Sequence, residues 1–255
     1  MPPTRADRTV SLPPQPNHPE SGVKAGSGEM FDAIAPRYDF LNRVLSLGRD
    51  RSWRKQAVAA LGLGPGSRVL DVACGTGDVL LAALYREPAA SGVGLDPSRR
   101  MLQLAQHKAI QAGQSPRMEF CEGDALALPF PDRSFDATVI AFGIRNVPDR
   151  GLALTEMARV TRPGGRVVVL ELSEPHSGAL RHLARFYIRQ LVPRIGGLLS
   201  SDAEYCYLKS SILDFPRPDQ FAALMVRSGL RSVSVRPLTF GVCTLFVGSP
   251  GVVTP

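Results

Sequence analysis

The chain has 255 residues, of which 44% are hydrophobic and 21% charged, and it carries a formal net charge of +7. This composition suits one well-buried α/β domain, with or without an appendage. No apolar run reaches the ~18 residues of a membrane-spanning helix, and no apolar signal-peptide segment follows the first residue. No basic run is interleaved with aromatic residues, so we expect no nucleic-acid partner.

The cysteine pattern bears on metal binding and on the cellular compartment. The cysteines are scattered without the spacing of a metal site: Cys74, Cys121, Cys206 and Cys243. We therefore expect free thiols, no metal and a cytoplasmic location.

The first part of the chain divides into a tail and a helical cover. Residues 1–28 hold six prolines, three glycines and no aromatic residue, which predicts a disordered tail. Apolar residues at helical spacing predict two helices, Met30–Leu45 and Ser52–Leu61, within a cover over residues 29–62. Residues 29–250 are predicted to form a single domain.

From residue 68, predicted strands and helices alternate. The strands are Arg68–Ala73, Ser91–Asp96, Arg117–Glu122, Phe135–Ala141 and Arg166–Leu172, and the helices between them are Asp78–Tyr85, Ser98–Ala112 and Gly151–Val160. Residues 177–214 interrupt the alternation and are predicted to form a helical insertion. After a helix at Asp219–Ser228, the strands Ser232–Arg236 and Phe240–Val247 are close enough to pair antiparallel. The predicted fold class is α/β, with a seven-stranded, mostly parallel sheet and one antiparallel edge strand.

A glycine-rich turn follows the first predicted strand. Residues 69–77 read VLDVACGTG, and Asp96 ends the second strand nineteen residues after Gly77. Glycine permits positive φ and lets a ligand approach the backbone, and a carboxylate at Asp96 can accept hydrogen bonds from both ribose hydroxyls. The pattern indicates an adenosine-containing cofactor at the carboxyl ends of parallel strands; the alternative is a βα turn that binds no ligand.

Two residues favour S-adenosylmethionine over NAD. Leu80 stands where the dinucleotide fingerprint has its third glycine. Asp71, just before the turn, would repel a pyrophosphate but attract an ammonium or sulfonium group. S-adenosylmethionine carries both cations and no phosphate.

Polar residues also follow the third and fourth strands. Asp124 can accept from an adenine amino group beside the Ala125 N–H, or can be an ordinary turn residue, and both alternatives stay open. Ala141 ends the fourth strand at the expected switch point of the sheet. In residues 144–149 (IRNVPD), Arg145 can stabilise an oxyanion, and Asp149 can accept a proton or cap the next helix, the cap being favoured.

These motifs resemble those of the C-methyltransferases of ubiquinone and menaquinone biosynthesis, over about residues 30–248. The stretches that carry the resemblance include 30–42 (MFDAIAPRYDFLN), 70–78 (LDVACGTGD), 127–130 (ALPF), 142–147 (FGIRNV), 156–165 (EMARVTRPGG) and 170–175 (LELSEP). Ala141 departs from the family, which often has serine or cysteine there, so one contact to the cofactor would be lost.

The resemblance implies a Rossmann-like class I methyltransferase that uses S-adenosylmethionine to methylate a ring carbon of a prenylated quinol such as demethylmenaquinol. We predict that Arg145 holds the phenolate and that Tyr38 and Asn146 orient the ring, although Tyr38 is also a candidate packing residue. The predicted cofactor-binding residues are Asp71, Gly75, Thr76, Gly77, Asp96, Pro97, Asp124, Ala125 and Ala141. Another phenolic or lipid acceptor, or a scaffold that binds the cofactor without catalysis, are the alternatives.

One basic segment suggests how a lipid-like acceptor is reached. Arg181, Arg185 and Arg189 recur every four residues and would share one helix face. Such a face predicts peripheral contact with the anionic inner face of a membrane, and the alternatives are a solvated face or a homodimer contact.

Overall fold

The computed structural model describes Asp32, Ala35 and residues 38–174 and 210–251. Its helices are α1 (Tyr38–Leu45), α2 (Asp50–Leu61), α3 (Asp78–Arg86), α4 (Arg99–Gln111), α5 (Arg150–Val160) and α6 (Pro218–Arg227). Its strands are β1 (Arg68–Val72), β2 (Ser91–Asp96), β3 (Met118–Glu122), β4 (Phe135–Ala141), β5 (Thr161–Leu172), β6 (Leu230–Leu238) and β7 (Cys243–Pro250). The predicted tail and nearly all of the predicted insertion lie outside the described residues.

Seven strands form one sheet in the order β3-β2-β1-β4-β5-β7-β6, which confirms the predicted fold class. The first five strands are parallel, and β7 pairs antiparallel with both β5 and β6. The antiparallel pairing expected at one edge is thus present, with β6 as the outermost strand. Val72 of β1 lies opposite Leu95 on one side and Ile140 on the other, so β1, β2 and β4 end side by side.

Helices cover both faces of the sheet. Residues of β1 and β4 alternate between two buried clusters: Val69 and Val139 pack in one, and Leu70 and Ile140 pack in the other. The first cluster includes residues of α2, α3 and α4, and the second includes residues of α5 and α6. This arrangement explains why the central strands are apolar on both faces.

Individual contacts explain where several helices and strands begin or end. The bounds of β2 and β4 are those predicted from the sequence. Ser98 caps α4 as expected, because its Oγ accepts from the Met101 N–H at 3.1 Å. The fifth strand begins at Thr161, five residues earlier than predicted, because Thr161 already pairs with Phe135 before the register shifts.

Arg159 of α5 fastens the segment that leads into β4. Its guanidinium donates to both carboxylate oxygens of Glu156, at 2.7 Å each, and to Asp132 Oδ1 at 2.8 Å. It also donates to the backbone carbonyls of Leu128 and Phe130, at 3.0 and 2.8 Å. The hydrogen bond from Arg159 lowers the pKa of Glu156. The sequence stretches 127–130 and 156–165 are therefore parts of one contact.

We expect Arg159→Met to lower the free energy of unfolding by about 1–2 kcal/mol, because several carbonyl and carboxylate acceptors lose their donor. Arg99→Met is the matched control, since the Arg99–Glu122 ion pair has an 80% exposed arginine side chain and should contribute little. Urea unfolding of both variants tests this. Equal midpoints for the two variants would contradict the role given to Arg159.

Candidate active site

The turn between β1 and α3 brings bare backbone to the carboxyl edge of the sheet. Ala73, Gly75 and Gly77 all adopt positive φ, at 52°, 54° and 78°. A Cβ added at Gly77 would lie 3.1 Å from the Cβ of Ala105. Only glycine fits position 77 without strain, because the turn packs closely against Ala105 of α4 there.

Asp96 lies beside this turn, and backbone N–H groups hold both of its carboxylate oxygens. Its Oδ2 accepts from the Gly75 N–H at 2.8 Å, and its Oδ1 accepts from the Ser98 N–H at 2.9 Å. Burial raises the pKa of this carboxyl group, while the two N–H donors lower it. Each carboxylate oxygen has a second lone pair, so the group can accept from two vicinal hydroxyls while it keeps its backbone partners. The residues present therefore fit an adenosine ribose.

Asp71 is more deeply buried than contact with a cofactor cation at the turn would require. Its side chain is buried, and Oδ2 accepts from the Leu80 N–H at 3.2 Å, which fixes the first turn of α3. The pKa of Asp71 is raised to about 8, chiefly by burial and also by nearby Asp96, although the Leu80 N–H and Arg54 act in the opposite direction. The carboxyl group therefore keeps its proton at neutral pH unless a cation lies close to it. Its contact with an ammonium or sulfonium group stays a prediction.

The Thr76 hydroxyl faces the helical cover. It donates to Asp39 Oδ1 at 2.8 Å and accepts from Lys108 Nζ at 2.8 Å. Lys108 also donates to Asp39 Oδ2 at 2.5 Å and to Asp78 Oδ1 at 2.6 Å. We call Asp39, Thr76, Asp78 and Lys108 the Lys108 cluster. Because the Thr76 hydroxyl is engaged in it, the backbone of Thr76 is the part that can contact a cofactor.

The helical cover also contacts the start of α4, next to Asp96. The Ser98 hydroxyl donates to Asp32 Oδ1, and the Arg100 N–H donates to the same oxygen at 3.3 Å. Asp32 lies close enough to Asp96 to raise its pKa further. Asp32 and Lys108 were not among the site residues predicted from the sequence, although Asp32 and Asp39 both lie in the first stretch that carries the family resemblance.

The remaining predicted cofactor residues lie along the same edge. Glu122 of β3 pairs with Asp96, so Asp124 follows just beyond it. The Asp124 Oδ1 accepts from the Leu126 N–H at 2.9 Å, which is the turn role foreseen as one alternative; a contact to adenine stays a prediction. Pro97 is exposed, whereas Ala125 is buried. Ala141 is partly exposed at the end of β4.

A second strained turn follows β4 and touches the first. Phe142 has φ 60°, and a Cβ added at Gly143 would lie 2.9 Å from the Cβ of Ala73. The Phe142 ring packs against Trp53 of α2, with ring centroids 6.2 Å apart. The absence of a side chain at Gly143 thus lets the ends of β1 and β4 meet.

Arg145 is buried in this second turn and paired. Its Nη1 donates to Glu171 Oε1 at 2.7 Å and to the Phe142 carbonyl at 2.6 Å, and its N–H donates to Glu171 Oε2 at 3.1 Å. Sequence analysis predicted Arg145 as a cation for a phenolate and did not foresee Glu171. The guanidinium and the carboxylate together carry no net charge. Arg145 would therefore have to stabilise a phenolate while it stays next to the Glu171 carboxylate.

The other predicted catalytic residues are only partly placed. Asn146 is partly exposed in the short 3₁₀ helix Ile144–Asn146. Tyr38 begins α1, and its side chain lies outside the described part of the chain. Asp149 caps α5, accepting from the Leu152 N–H at 2.9 Å, which confirms the favoured interpretation.

The described residues contain neither a metal-binding group nor a membrane-spanning helix. Within 38–174 and 210–251, with Asp32 and Ala35, no group of His, Cys, Asp and Glu could hold a metal ion. Over these residues, every helix is too short or too polar to cross a bilayer. The described cysteines Cys74, Cys121 and Cys243 are free. Arg181, Arg185 and Arg189 lie outside the described residues.

Known proteins resemble this chain along most of its length. Residues 21–249 match the ubiE/COQ5 methyltransferase family. Ubiquinone/menaquinone biosynthesis C-methyltransferase UbiE of Geotalea daltonii is 47% identical over 221 residues, covering 86% of this chain and 94% of the relative. Demethylmenaquinone methyltransferase of Deinococcus radiodurans is 49% identical over 238 residues, covering 91% and 97%.

Solved structures agree with the fold. A chain from the complex between the Haloferax volcanii Trm112 methyltransferase activator and a methyltransferase has a TM-score of 0.63 at 22% identity, covering 87% of this chain and 98% of that chain. An S-adenosylmethionine-dependent methyltransferase from Thermotoga maritima has a TM-score of 0.61 at 19% identity, covering 88% and 99%. At these identities the likeness shows the fold alone.

The raised pKa of Asp71 predicts a pH-dependent stability. Between its usual 3.8 and about 8, the folded protein holds a proton at Asp71 that the unfolded chain has lost. The stability from this site is therefore complete below the unfolded pKa and is lost as the pH rises through this window. We expect Asp71→Asn to gain stability relative to the wild type with rising pH, by at most ~1.4 kcal/mol per pH unit.

Urea unfolding at several pH values between about 5 and 8 measures this difference. Asp219→Asn, at an exposed aspartate in the first turn of α6, controls for the loss of a carboxyl group. A difference between Asp71→Asn and wild type that does not change with pH would contradict the proton at Asp71.

Proposed function

Because the chain belongs to the ubiE/COQ5 methyltransferase family, we propose that it transfers a methyl group from S-adenosylmethionine to a ring carbon of a prenylated quinol in quinone biosynthesis. Demethylmenaquinol is the acceptor that we favour, because the relative at 49% identity is a demethylmenaquinone methyltransferase. The observation that carries the proposal is Asp96, fixed by the Gly75 and Ser98 N–H groups beside the glycine turn.

The cofactor residues follow from that observation. We propose that Asp96 accepts from the ribose hydroxyls and that the backbone of residues 75–77 lies against the cofactor. Asp71 is then a buried acid beside the turn, and an approaching cation would favour loss of its proton. Pro97, Asp124, Ala125 and Ala141 continue the same edge and are proposed to line the adenine and methyl ends. When bound, S-adenosylmethionine supplies an electrophilic methyl group, so the protein mainly has to align the acceptor.

Residues after β4 are proposed to hold the acceptor. A phenol titrates near ~10, so at neutral pH a donor that stabilises the phenolate assists its formation. We propose that Arg145 donates to this oxygen and that Glu171 fixes the direction of the guanidinium. Asn146 in the adjoining 3₁₀ helix and Tyr38 in the cover are proposed to orient the ring.

The decisive experiment supplies methyl-labelled S-adenosylmethionine and a reduced short-chain demethylmenaquinone analogue to the full chain. We expect label on a ring carbon, because the proposed site would hold the methyl donor beside the proposed acceptor residues. A parallel reaction with a demethylated benzoquinol analogue distinguishes the two head groups. A tight cofactor complex with no transfer to any quinol would contradict an enzyme and favour a scaffold.

Asp96→Ala is the matched loss-of-binding control for that assay. We expect S-adenosylhomocysteine affinity to fall by about 10- to 150-fold in calorimetry, the equivalent of ~1.5–3 kcal/mol for a charged acceptor. Asp219→Ala removes a carboxylate as well, but an exposed one on α6, and this variant should bind like the wild type. Unchanged affinity in Asp96→Ala would place the ribose elsewhere.

We further propose that the protein reaches its acceptor at an anionic membrane surface; a homodimer stays a prediction. Leu47 and Phe240, described residues near the first turn of α2, have exposed fractions of 69% and 65%. Phe240 follows Thr239, whose hydroxyl accepts from Trp53 Nε1 at 2.8 Å. Exposed Arg43 and Arg49 flank Leu47 along the chain. Apolar side chains beside cations suit the interface of an anionic bilayer.

We expect co-sedimentation with phosphatidylglycerol-containing vesicles at low salt and release at high salt, because screening weakens the arginine contacts. Phe240→Ser should reduce binding, whereas Tyr85→Ser, at a similarly exposed aromatic residue on α3, should not. No sedimentation of the wild type at low salt would rule out this surface as a membrane contact.

A further inference from the structure

We propose that Lys108 is a positioning residue that clamps the helical cover onto the glycine turn and so sets how long the cofactor stays bound. The inference rests on the proposed function, because it takes the turn and Asp96 as the cofactor site. Lys108 contacts Asp39 and Thr76 and acts on the cofactor site through them.

The Lys108 cluster is a closed set of hydrogen bonds. An ammonium group has three donors, and those of Lys108 go to Asp39 Oδ2, Thr76 Oγ1 and Asp78 Oδ1. Thr76 in turn donates to the other oxygen of Asp39. Both oxygens of Asp39 are thus held, one by the turn and one by α4. Helix α1 cannot move off the turn without breaking two charge-assisted hydrogen bonds to the Asp39 carboxylate.

The cover has a second attachment at the other end of α4. Asp32 accepts from the Ser98 hydroxyl and the Arg100 N–H, two to four residues after Asp96. Ser98 and Lys108 are ten residues apart, which is ~15 Å along a helix. Seven residues from Asp32 to Asp39 reach up to ~24 Å, so the segment between them can span the two attachments. These attachments lie at the two proposed contacts of the cofactor, the ribose acceptor and the glycine turn.

Charge makes Lys108 the critical member. Asp78 Oδ1 contacts Lys108, while its Oδ2 lies 3.5 Å from Arg54, which is itself paired with Asp50 at 2.5 Å. Without Lys108, Asp39 and Asp78 would face each other with no cation between them, and their repulsion would favour an open cover. The Lys108 side chain is 29% exposed, so dissolved salt can screen this attraction.

The experiment measures the dissociation of S-adenosylhomocysteine by displacement, followed through Trp53, the single tryptophan of the chain. The variants are Lys108→Met, Asp39→Asn and the double variant, with Lys55→Met as the matched control at an exposed lysine of α2. We expect each single variant to speed dissociation by about tenfold and the double variant to add little, because the two residues form one contact. Lys55→Met should match the wild type.

Limited trypsinolysis gives a second readout that needs no catalysis. Arg43 is exposed on α1, but cleavage there requires the helix to open locally. S-adenosylhomocysteine should slow this cleavage in the wild type and in Lys55→Met, and should slow it much less in Lys108→Met. Added salt should speed dissociation in the wild type while having little effect in Lys108→Met.

The outcomes separate the clamp from the proposed function. If the wild type binds S-adenosylhomocysteine and Lys108→Met shows the same dissociation rate and the same protection of Arg43, the clamp is wrong while the cofactor site stands. If the wild type does not bind the nucleoside, the proposed function itself fails. Should Lys108→Met not fold, Asp39→Asn with Lys108 intact gives the same test, and an unchanged rate in that variant overturns the inference.

Discussion

The Asp96 carboxylate ties the end of β2 and the adjoining start of α4 to the turn after β1, with Gly75 lying 21 residues earlier in the chain. It takes the N–H of Gly75 from the turn after β1 and the N–H of Ser98 from the start of α4, while it ends β2 itself. A buried carboxylate needs such donors to offset its desolvation, which is visible in the opposing effects on its pKa. The same two bonds fix the turn, the strand end and the helix start relative to one another. Every proposed cofactor contact depends on that arrangement.

Because Arg145 is paired with Glu171, its effect on a bound phenolate differs from that of an unpaired arginine. A lone arginine would present a full positive charge to a phenolate. A buried pair with an O–N distance of 2.7 Å presents a dipole, so its effect depends on which way the guanidinium points. Removing one partner of such a pair leaves an uncompensated buried charge, which is strongly destabilising. Glu171 therefore belongs to the proposed acceptor site as the residue that orients Arg145.

The sequence predicted correctly those features of the fold that depend on residues close together in the chain. The bounds of β2 and β4 and the caps at Ser98 and Asp149 depend on neighbours within a few residues. The Lys108 cluster draws on α1, the turn after β1, α3 and α4, and no periodicity within one segment signals it. The depth of Asp71 is likewise set by packing between β1 and α3, so its residue type indicated an acid near the turn but not its burial.

The left-handed backbone at Ala73 and Phe142 has a consequence for heat tolerance. Neither residue is a glycine, yet each sits at positive φ where β1 or β4 ends. Such conformations cost of order 1–3 kcal/mol each and persist only where surrounding contacts impose them. The backbone at the ends of β1 and β4 therefore lowers the thermal stability of the protein.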